Sequence, residues 1–366
     1  MTGLYLFLVI LWFGLLTLRA PGLWALAAFD ASLFGLAAAM IVRRRFEVRL
    51  HPIGVLLAVP AILALVQAAA KITVDPQRTR EAALGWSANC AAFSLAAALS
   101  ERRRRFLDTQ LAFATLLSIG AVIALFASGT LGPFVYKNQF AAYVEVALGI
   151  AIVASLRDRR WIAAAAMLFA SVVAAGSRAG AILCAAELLV VPLLAFGRGR
   201  IAKGAAPRLA TVAAAATLVL VGVVGPQRLI DRFQEPHPYA LRANLLRSSI
   251  AMARERPMEG FGLGAWSSAY PAFARFDDGD FVNQAHNDWA QWLAEGGAPM
   301  LLVMLAVVAL LARPAFDSLW GLGLMAVFLH AFVDYPFEQR PALAAFFFAM
   351  AGALAGARRE YADERL

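Results

Sequence analysis

The sequence contains few charged residues. Only 16% of its 366 residues are charged, whereas 61% are hydrophobic and the mean hydropathy is +0.69. Soluble globular domains have about 25% charged residues, so this composition excludes a soluble domain. The 27 glycines are spread through apolar runs, where transmembrane helices tolerate them. The composition therefore predicts an all-α, polytopic integral membrane protein.

Cysteine and histidine are also scarce. Cys90 and Cys184 both lie in apolar segments, and neither has the CxxC spacing or the neighbouring histidine of a metal site. Two such thiols exclude a disulfide framework, and we interpret them as small packing residues. Since no group of histidines and acids has metal-ligand spacing, no metal and no other cofactor is expected.

Twelve apolar segments are candidates for transmembrane helices when the sequence is read in windows of about 19 residues. They cover residues 3–18, 21–42, 53–70, 83–100, 108–128, 139–156, 161–176, 180–197, 209–225, 298–312, 317–333 and 341–356. A span needs about 20 residues, so one or two of the shorter segments are alternatively buried or re-entrant pieces.

The cationic residues cluster in alternate connections. Runs such as Arg43–Arg45 and Arg102–Arg105 lie on one side of the membrane if both termini are cytoplasmic, and that side holds more than half of the 33 lysines and arginines. The positive-inside rule therefore supports twelve spans with both termini in the cytoplasm. The same clustering accounts for the net charge of +9 without a nucleic-acid partner. The N-terminus lacks the features of a cleavable signal peptide, so the first segment is expected to be a retained helix.

One long polar segment, residues 226–297, interrupts the apolar pattern and is exoplasmic under the charge rule. It divides the chain into N-terminal transmembrane helices (1–137), central helices (138–225), a large periplasmic loop (226–297), and C-terminal helices with a cytoplasmic tail (298–366). A loop of about seventy residues is usually functional. Within it, YALRANLLRSSIAMARER predicts a helix ended by Pro257. VNQAHNDWAQWLAEGG predicts a second short helix stopped by Gly296 and Gly297.

Arginines are frequent in this loop, although the positive-inside rule depletes cations there. They are Arg228, Arg232, Arg242, Arg247, Arg254, Arg256 and Arg275. Guanidinium groups donate paired hydrogen bonds to phosphate or carboxylate and so indicate an anionic partner. The alternative is an amphipathic helix lying on anionic lipid headgroups. Arg178, in the small-residue turn AAGSRAGA, is either an interface anchor or a ligand contact.

Several motifs together resemble the O-antigen ligase and O-antigen polymerase superfamily of bacterial membrane glycosyltransferases. They are NQFAAYVEVALGIAI at 138–152, SRAG at 177–180, RPMEGFGLGAW with an arginine fifteen residues before its proline, AHNDWAQWLAEGG, and HAFVDYPFEQRP near the end. The likeness extends from about 138 to 357. The first four apolar segments match only in hydropathy.

The resemblance implies three catalytic residues. These are Arg178 after the small turn, Arg242 at the start of the loop helix, and His286 in the last helix of the loop. Many relatives have an aromatic residue four positions after the second arginine, where this chain has Leu246, so Arg247 is the alternative to Arg242. The residues expected to bind substrate are Arg178, Arg242, Arg247, Asn138 and Asn287.

The chemistry of a polyprenyl-diphosphate-linked saccharide suits these residues. Its diphosphate lies at headgroup depth and is already a good leaving group, so fixed guanidinium groups stabilise the charge that develops on it. The acceptor hydroxyl must lose a proton, and His286 is the histidine placed to accept it. Asp288 and Glu295 are competing bases. A metal-independent glycosyltransferase is therefore expected.

The expected function is that of an O-antigen ligase, which moves a saccharide from undecaprenyl diphosphate to lipid A-core at the periplasmic face of the bacterial inner membrane. The expected partners are the lipid-linked donor, lipid A-core or another saccharide acceptor, and membrane lipids, but no nucleic acid. One alternative is an O-antigen or exopolysaccharide polymerase with a lipid-linked acceptor, and another acceptor is a protein serine. A polysaccharide or lipid transporter is the alternative from another class, although no internal repeat is evident.

Other polar groups give weaker signals. GFGLG predicts a flexible turn, and FDDGD predicts a solvated turn rather than a cation site. Asp30, Glu145 and Glu187 lie in apolar segments and are functional candidates for that reason. Asp334 follows His330 by one helical turn, so these two are expected to pair on one face in a structural role.

Overall fold

The computed structural model is all-helical apart from turns over the residues that it describes, which are 2–43, 51–99, 103–201, 206–234, 240–275, 279, 281–338 and 340–356. The helices are α1 (Thr2–Leu16), α2 (Trp24–Val42), α3 (Pro52–Ala69), α4 (Pro76–Ala98), α5 (Arg103–Ser128), α6 (Lys137–Ser155), α7 (Arg160–Ala175), α8 (Arg178–Gly197), α9 (Ala206–Val224), α10 (Gln227–Phe233), α11 (Ala240–Glu255), α12 (Trp266–Ala269), α13 (Asp288–Ser318), α14 (Leu322–His330) and α15 (Pro341–Ala355). A short 3-10 helix, Tyr270–Phe273, follows α12.

Each predicted apolar segment overlaps one of these helices, namely α1 to α9 and α13 to α15. Within the described residues, six helices are long and apolar enough to cross a membrane: α2, α3, α5, α6, α8 and α13. Residues 210–223 and 227–233 form a further candidate that is bent by 85°. The prediction of a polytopic helical membrane protein is confirmed at this level. Twelve spans, the side of each loop and the four-region division stay predictions.

Helix α6 lies at the centre of one half of the bundle. Every residue from Gln139 to Ala154 is buried, and the helix packs against α7, α8 and α14. Glycines allow this close packing, since a side chain at Gly149 or Gly323 would collide with backbone atoms of the neighbouring helix. The first turn of α6 is thereby held at a fixed position beside the ends of α8 and α14.

Helices α3, α4 and α15 form a second packed group. Here Gly352 on α15 faces the carbonyl of Phe93 on α4 so closely that a side chain would not fit. Helix α13 also contacts α3, α14 and α15 and so connects this group to the half around α6.

The first loop helix is present as predicted. Helix α11 ends at Glu255, before Pro257, and its buried stripe contains Leu245, Ser249 and Met252. The stripe packs against Trp266, whose Nε1 donates to Ser249 Oγ at 3.0 Å. Leu241, in the first turn of the same helix, is exposed. The loop therefore has a small hydrophobic core of its own.

Gln67 on α3 attaches this loop to the bundle. Its Nε2 donates to the carbonyls of Glu259 (2.7 Å) and Glu295 (2.9 Å), and its Oε1 accepts from Leu263 N at 3.0 Å. The GFGLG motif is a turn, as predicted, and its three glycines have positive φ. At Gly260 the carbonyl of Glu295 leaves no space for a side chain, so the turn is closely packed.

The second predicted loop helix begins later than expected. Residues 281–287 are not helical, and α13 begins at Asp288 because Asn287 caps it, accepting from Ala290 N at 2.9 Å. His286 therefore lies before the helix, and placing it inside the helix was wrong. The predicted stop is a kink at Gly297 (φ 66°), beyond which α13 continues to Ser318.

Some sequence predictions lie outside the described residues. These are Arg44, Arg45 and Arg102 of the cationic runs, residues 235–239 of the large loop, the acids of FDDGD, and residues 357–366 of the tail.

Candidate functional site

The carboxylate of Asp334 lies where four parts of the chain meet. Asp334 is 5% exposed and sits in the turn after α14. Its Oδ2 accepts from Arg242 Nη2 on α11 at 3.1 Å and from Asn138 Nδ2 on α6. Its Oδ1 lies 3.6 Å from Nδ1 of His286, just before α13. We call Asp334, Arg242, Asn138 and His286 the Asp334 cluster.

The SRAG turn supports this cluster from α8. Ser177 is the N-cap of α8, and its Oγ accepts from Gly180 N at 3.3 Å. The same hydroxyl donates to Asn138 Oδ1 at 2.8 Å. Because the amide oxygen of Asn138 is fixed in this way, its amide nitrogen points to Asp334.

His286 is held by its backbone and by an aromatic contact. Its φ of 52° lies in the left-handed region, which is uncommon for a residue other than glycine. Its ring meets Tyr335 edge to face, with centroids 4.5 Å apart. The side chain is 28% exposed, and Nδ1 is the nitrogen nearest Asp334. The other ring nitrogen, Nε2, remains as the candidate to accept a proton.

Backbone contacts fix the start of α13 against the turn that carries Asp334. Asp288 N donates to the carbonyls of Ala331 (2.9 Å) and Asp334 (3.2 Å). Asn287 Nδ2 donates to Phe332 O at 2.7 Å. Asn287, predicted to bind substrate, therefore uses its side chain for capping and for this clamp.

The surroundings keep Asp334 ionised. Burial by itself raises the pKa of a carboxyl, but the neighbouring His286 and Arg242 outweigh it and hold the pKa of Asp334 below its usual value. At 3.1 Å Arg242 makes a direct charge-assisted bond, whereas His286 at 3.6 Å is slightly beyond hydrogen-bonding distance. A shift of less than an ångström would complete that bond.

The hydrogen bonds described for the other two predicted arginines go to other acceptors. Arg178, next to Ser177, donates from Nη1 to Arg232 O at the end of α10, at 2.7 Å. Arg247 is exposed on α11 and donates to Asn244 Oδ1 at 3.2 Å. Because five residues separate Arg242 from Arg247, their side chains point to different faces of α11. The structure therefore favours Arg242 as the residue that faces Asp334.

The expected pairing of His330 with Asp334 is wrong. His330 Nδ1 lies 2.7 Å from Glu145 Oε1, and both side chains are fully buried between α14 and α6. Helix α14 ends at His330, so Asp334 lies beyond the helix face on which the pairing depended. Sequence reasoning missed Asp334 as a site residue, although it stands in HAFVDYPFEQRP, one of the motifs of the resemblance.

The two competing bases are bonded to backbone amides. Asp288 accepts from Phe337 N at 3.0 Å, and Glu295 accepts from Gly264 N (2.8 Å) and Trp266 N (3.0 Å). Both are fully buried. Their carboxyl groups therefore serve as acceptors within the fold, and His286 is the most accessible of the three candidate bases.

Comparison with known families supports the same interpretation. A family model described as O-antigen ligase matches residues 162–305. The predicted resemblance to the O-antigen ligase and polymerase superfamily is thereby confirmed. The matched region contains Arg178, Arg242 and His286, whereas Asn138 and Asp334 lie outside it. The match indicates ligase-type or polymerase-type activity and does not separate the two. No curated protein matches the chain.

Proposed function

We propose that the chain is an O-antigen ligase-like glycosyltransferase, which moves a saccharide from undecaprenyl diphosphate to a hydroxyl of lipid A-core at the periplasmic face of the inner membrane. The observation that carries this proposal is the convergence of Arg242, Asn138 and His286 on Asp334, with Arg178 nearby. A cation for a phosphate and a base for a hydroxyl thus lie side by side at the ends of apolar helices. The family match supports this class of reaction.

The arginines would bind the diphosphate of the donor. A guanidinium group has five N–H donors, and Arg242 uses one of them on Asp334, so others remain for phosphate oxygens. Asp334 orients this guanidinium group before substrate arrives. The carbonyl of Arg232 does the same for Arg178. Such fixed donors favour the transition state, in which negative charge grows on the leaving diphosphate.

His286 would act as the general base. As the acceptor oxygen forms a bond to the anomeric carbon, its proton passes to Nε2 of His286. The bond between the anomeric carbon and the diphosphate oxygen breaks, and its electron pair leaves with the diphosphate. Asp334, beside Nδ1, stabilises the imidazolium that results. This scheme uses no metal ion and no cofactor.

Two alternative functions are a polymerase and a transporter. A polymerase keeps this chemistry and takes a second lipid-linked saccharide as acceptor. A transporter would instead use the buried ionisable groups Glu145, His330 and Glu187 in the core of α6, α8 and α14. Movement of lipid-linked saccharide in liposomes without an acceptor would support the transporter.

The lipopolysaccharide gel of a deletion strain tests the proposal. Loss of a ligase should leave bare lipid A-core while lipid-linked polymer accumulates, and the wild-type gene should restore the ladder. Core that carries one repeat unit would identify a polymerase. An unchanged ladder together with lost exopolysaccharide would assign the chain to another pathway. Expression of His286→Ala at wild-type level should fail to restore the ladder.

A further inference from the structure

A cavity of about 630 Å³ lies next to the Asp334 cluster but does not include it. The cavity is bounded by the C-terminal end of α1 and the N-terminal parts of α2, α4 and α15. Loop residues before and within the first turns of α13 cover it, and Arg178, Arg242, His286 and Asp334 are not among its lining residues. Its volume is in the range of small-molecule sites, about 300–1,000 Å³.

The cavity and the Asp334 cluster share two chain segments. Gln284 and Gln291 line the cavity and stand on either side of His286 in the sequence. Gln291 Nε2 donates to Gln284 Oε1 at 2.6 Å. Phe337 and Glu338 also line it, and they follow Tyr335, on which His286 packs. The two sites therefore adjoin through the segments 284–291 and 334–338.

Buried polar atoms without partners line the cavity. Asp30 and Asn89 are each 5% exposed, and Oδ1 of each accepts no hydrogen bond within the described part of the chain. Arg340 Nε, just before α15, is also buried and has no hydrogen-bond partner among the residues that the structure describes. An unsatisfied buried polar group costs about 1–3 kcal/mol, so these atoms favour a ligand or water that carries both donors and acceptors.

The charge of the cavity differs from that of the Asp334 cluster. Three acids line it, Asp30, Glu81 and Glu338, against the two arginines Arg78 and Arg340. Arg78 is already paired, since its Nε lies 3.5 Å from Asp75 Oδ2. This balance disfavours a diphosphate. Burial raises the pKa of Glu338 to about 7, so its carboxyl can donate as well as accept near neutral pH.

We propose that this cavity binds the outer sugar of the lipid A-core acceptor and leads its reacting hydroxyl to His286. Sugar hydroxyls are uncharged and are both donors and acceptors, which matches the unpartnered carboxylate, amide and guanidinium atoms among the lining residues. The inference rests on the proposed function. It assigns the acceptor to the cavity and the donor diphosphate to Arg178 and Arg242, so the adjoining segment with His286 lies between them.

Gly85 on α4 allows the cavity to be filled without damage to the fold. It lines the cavity, and an added Cβ would lie 3.8 Å from Pro341 Cβ, an ordinary contact. Gly85→Leu should therefore be tolerated by the helix and should project into the cavity. Gly35→Leu on α2 is the matched control, because Gly35 is exposed with open space around it and does not line the cavity. Both changes raise helix propensity similarly.

The experiment measures binding of three probes to full-length protein in nanodiscs. They are undecaprenyl diphosphate, the undecaprenyl-diphosphate-linked saccharide, and rough lipopolysaccharide, the last two isolated from the deletion strain. Gly85→Leu should weaken binding of rough lipopolysaccharide at least about tenfold and leave undecaprenyl diphosphate unchanged. Asn89→Leu and Asp30→Asn should each weaken it about fivefold, the effect of one buried hydrogen bond. Gly35→Leu should change none of the three.

The outcomes separate this inference from the proposed function. If Gly85→Leu weakens binding of the lipid-linked saccharide and not of rough lipopolysaccharide, the cavity holds the donor sugar and the inference is wrong. It is also wrong if all cavity variants bind rough lipopolysaccharide normally, since water or lipid then fills the space. If Gly85→Leu also weakens binding of undecaprenyl diphosphate, its effect is not specific to the cavity. Binding of rough lipopolysaccharide by Asn89→Leu and Asp30→Asn then decides whether the inference holds. The wild-type protein could instead bind rough lipopolysaccharide in a cavity-dependent way and show no transfer activity. That result would refute the proposed function and keep the acceptor site.

Discussion

Two buried carboxylates, Glu295 on α13 and Asp334 beside the start of that helix, differ in the kind of partner that they bind. Glu295, near the kink, accepts from backbone N–H groups of Gly264 and Trp266 and from the amide of Gln291. Asp334, beside the start of the helix, bonds to the side chains of Arg242 and Asn138 and approaches His286. Both carboxylates are at least 95% buried.

The difference distinguishes a structural contact from a candidate site. Backbone amides have one hydrogen atom and a fixed direction, so Glu295 specifies a single conformation of the loop. Arg242 and Asn138 retain further N–H donors after they bond to Asp334, His286 retains Nε2, and all three side chains are partly accessible. A ligand can therefore bind to the partners of Asp334 without breaking the fold. The Glu145–His330 pair differs from both. It pairs two side chains, as at Asp334, but its full burial keeps ligands away.

The largest expected effect is that of His286→Ala. If His286 is the base, the transfer rate at saturating substrate should fall by about 10² to 10⁴, the usual contribution of general base catalysis. Donor affinity should remain near that of the wild type, since the imidazole acts on the acceptor proton. Single-turnover transfer and donor binding by purified, folded protein measure the two quantities.

The opposite result for His286→Ala would show that His286 is not the base. Lost donor affinity with a normal rate at saturation would make the histidine a binding residue. Tyr335→Phe provides a control, because it keeps the ring that His286 contacts and should retain most of the rate.

The next largest effect is expected for Arg178→Lys and Arg242→Lys. Lysine keeps the charge but loses the planar, bidentate geometry. If each arginine binds the diphosphate, donor affinity should fall about 10- to 100-fold, corresponding to charge-assisted bonds of roughly 1.5–3 kcal/mol. Binding of undecaprenyl diphosphate alone is the measurement.

A comparison along α11 sharpens this test. Arg254→Lys, an exposed residue on the same helix, is the matched control and should bind donor normally. Arg247→Lys should lose less affinity than Arg242→Lys, because Arg247 contacts only Asn244 among the hydrogen bonds described for it. A larger loss at Arg247 would transfer the diphosphate-binding role to that residue.

Much of the fold follows from local sequence patterns. Apolar runs locate the helices, and Pro257 ends α11 as expected because proline cannot continue a helix. The error at α13 has a local cause. Asn287 caps the helix by accepting from Ala290 N, so the helix begins at Asp288, and Gly297 bends the chain where a stop was expected.

The candidate site was only partly predictable. Arg242, His286 and Asn138 stand in motifs of the resemblance, and the structure brings all three to one carboxylate. Asp334 could not be found from spacing, because its partners are 48, 92 and 196 residues away along the chain. Its pairing depends on how α6, α11 and α14 pack together. Local reasoning about i,i+4 neighbours assigned it to His330 instead.

The comparison of the two carboxylates predicts a smaller, paired effect. Asp334→Asn should lower the transfer rate of the folded protein about tenfold, because the imidazolium that forms on His286 loses the negative charge beside it. Glu295→Gln should leave the rate of the folded fraction nearly unchanged and lower stability by about 1–3 kcal/mol, since its amide group faces a backbone N–H. Transfer rate and apparent Tm of both variants in detergent provide the measurements. If Glu295→Gln impairs transfer at unchanged Tm, Glu295 belongs to the site.

The smallest expected effect is that of metal removal. Guanidinium groups of Arg178 and Arg242 would supply the positive charge that many sugar-nucleotide transferases take from a divalent cation, so treatment with EDTA should leave transfer unchanged. The reaction should be followed in nanodiscs made without divalent cations, because these ions also bind anionic headgroups of the acceptor. Arg242→Lys serves as a sensitised background, since a protein that has lost part of its cationic site should respond most to added magnesium. Activity of the wild type that disappears with EDTA and returns with magnesium or manganese would show that arginines alone do not neutralise the leaving diphosphate.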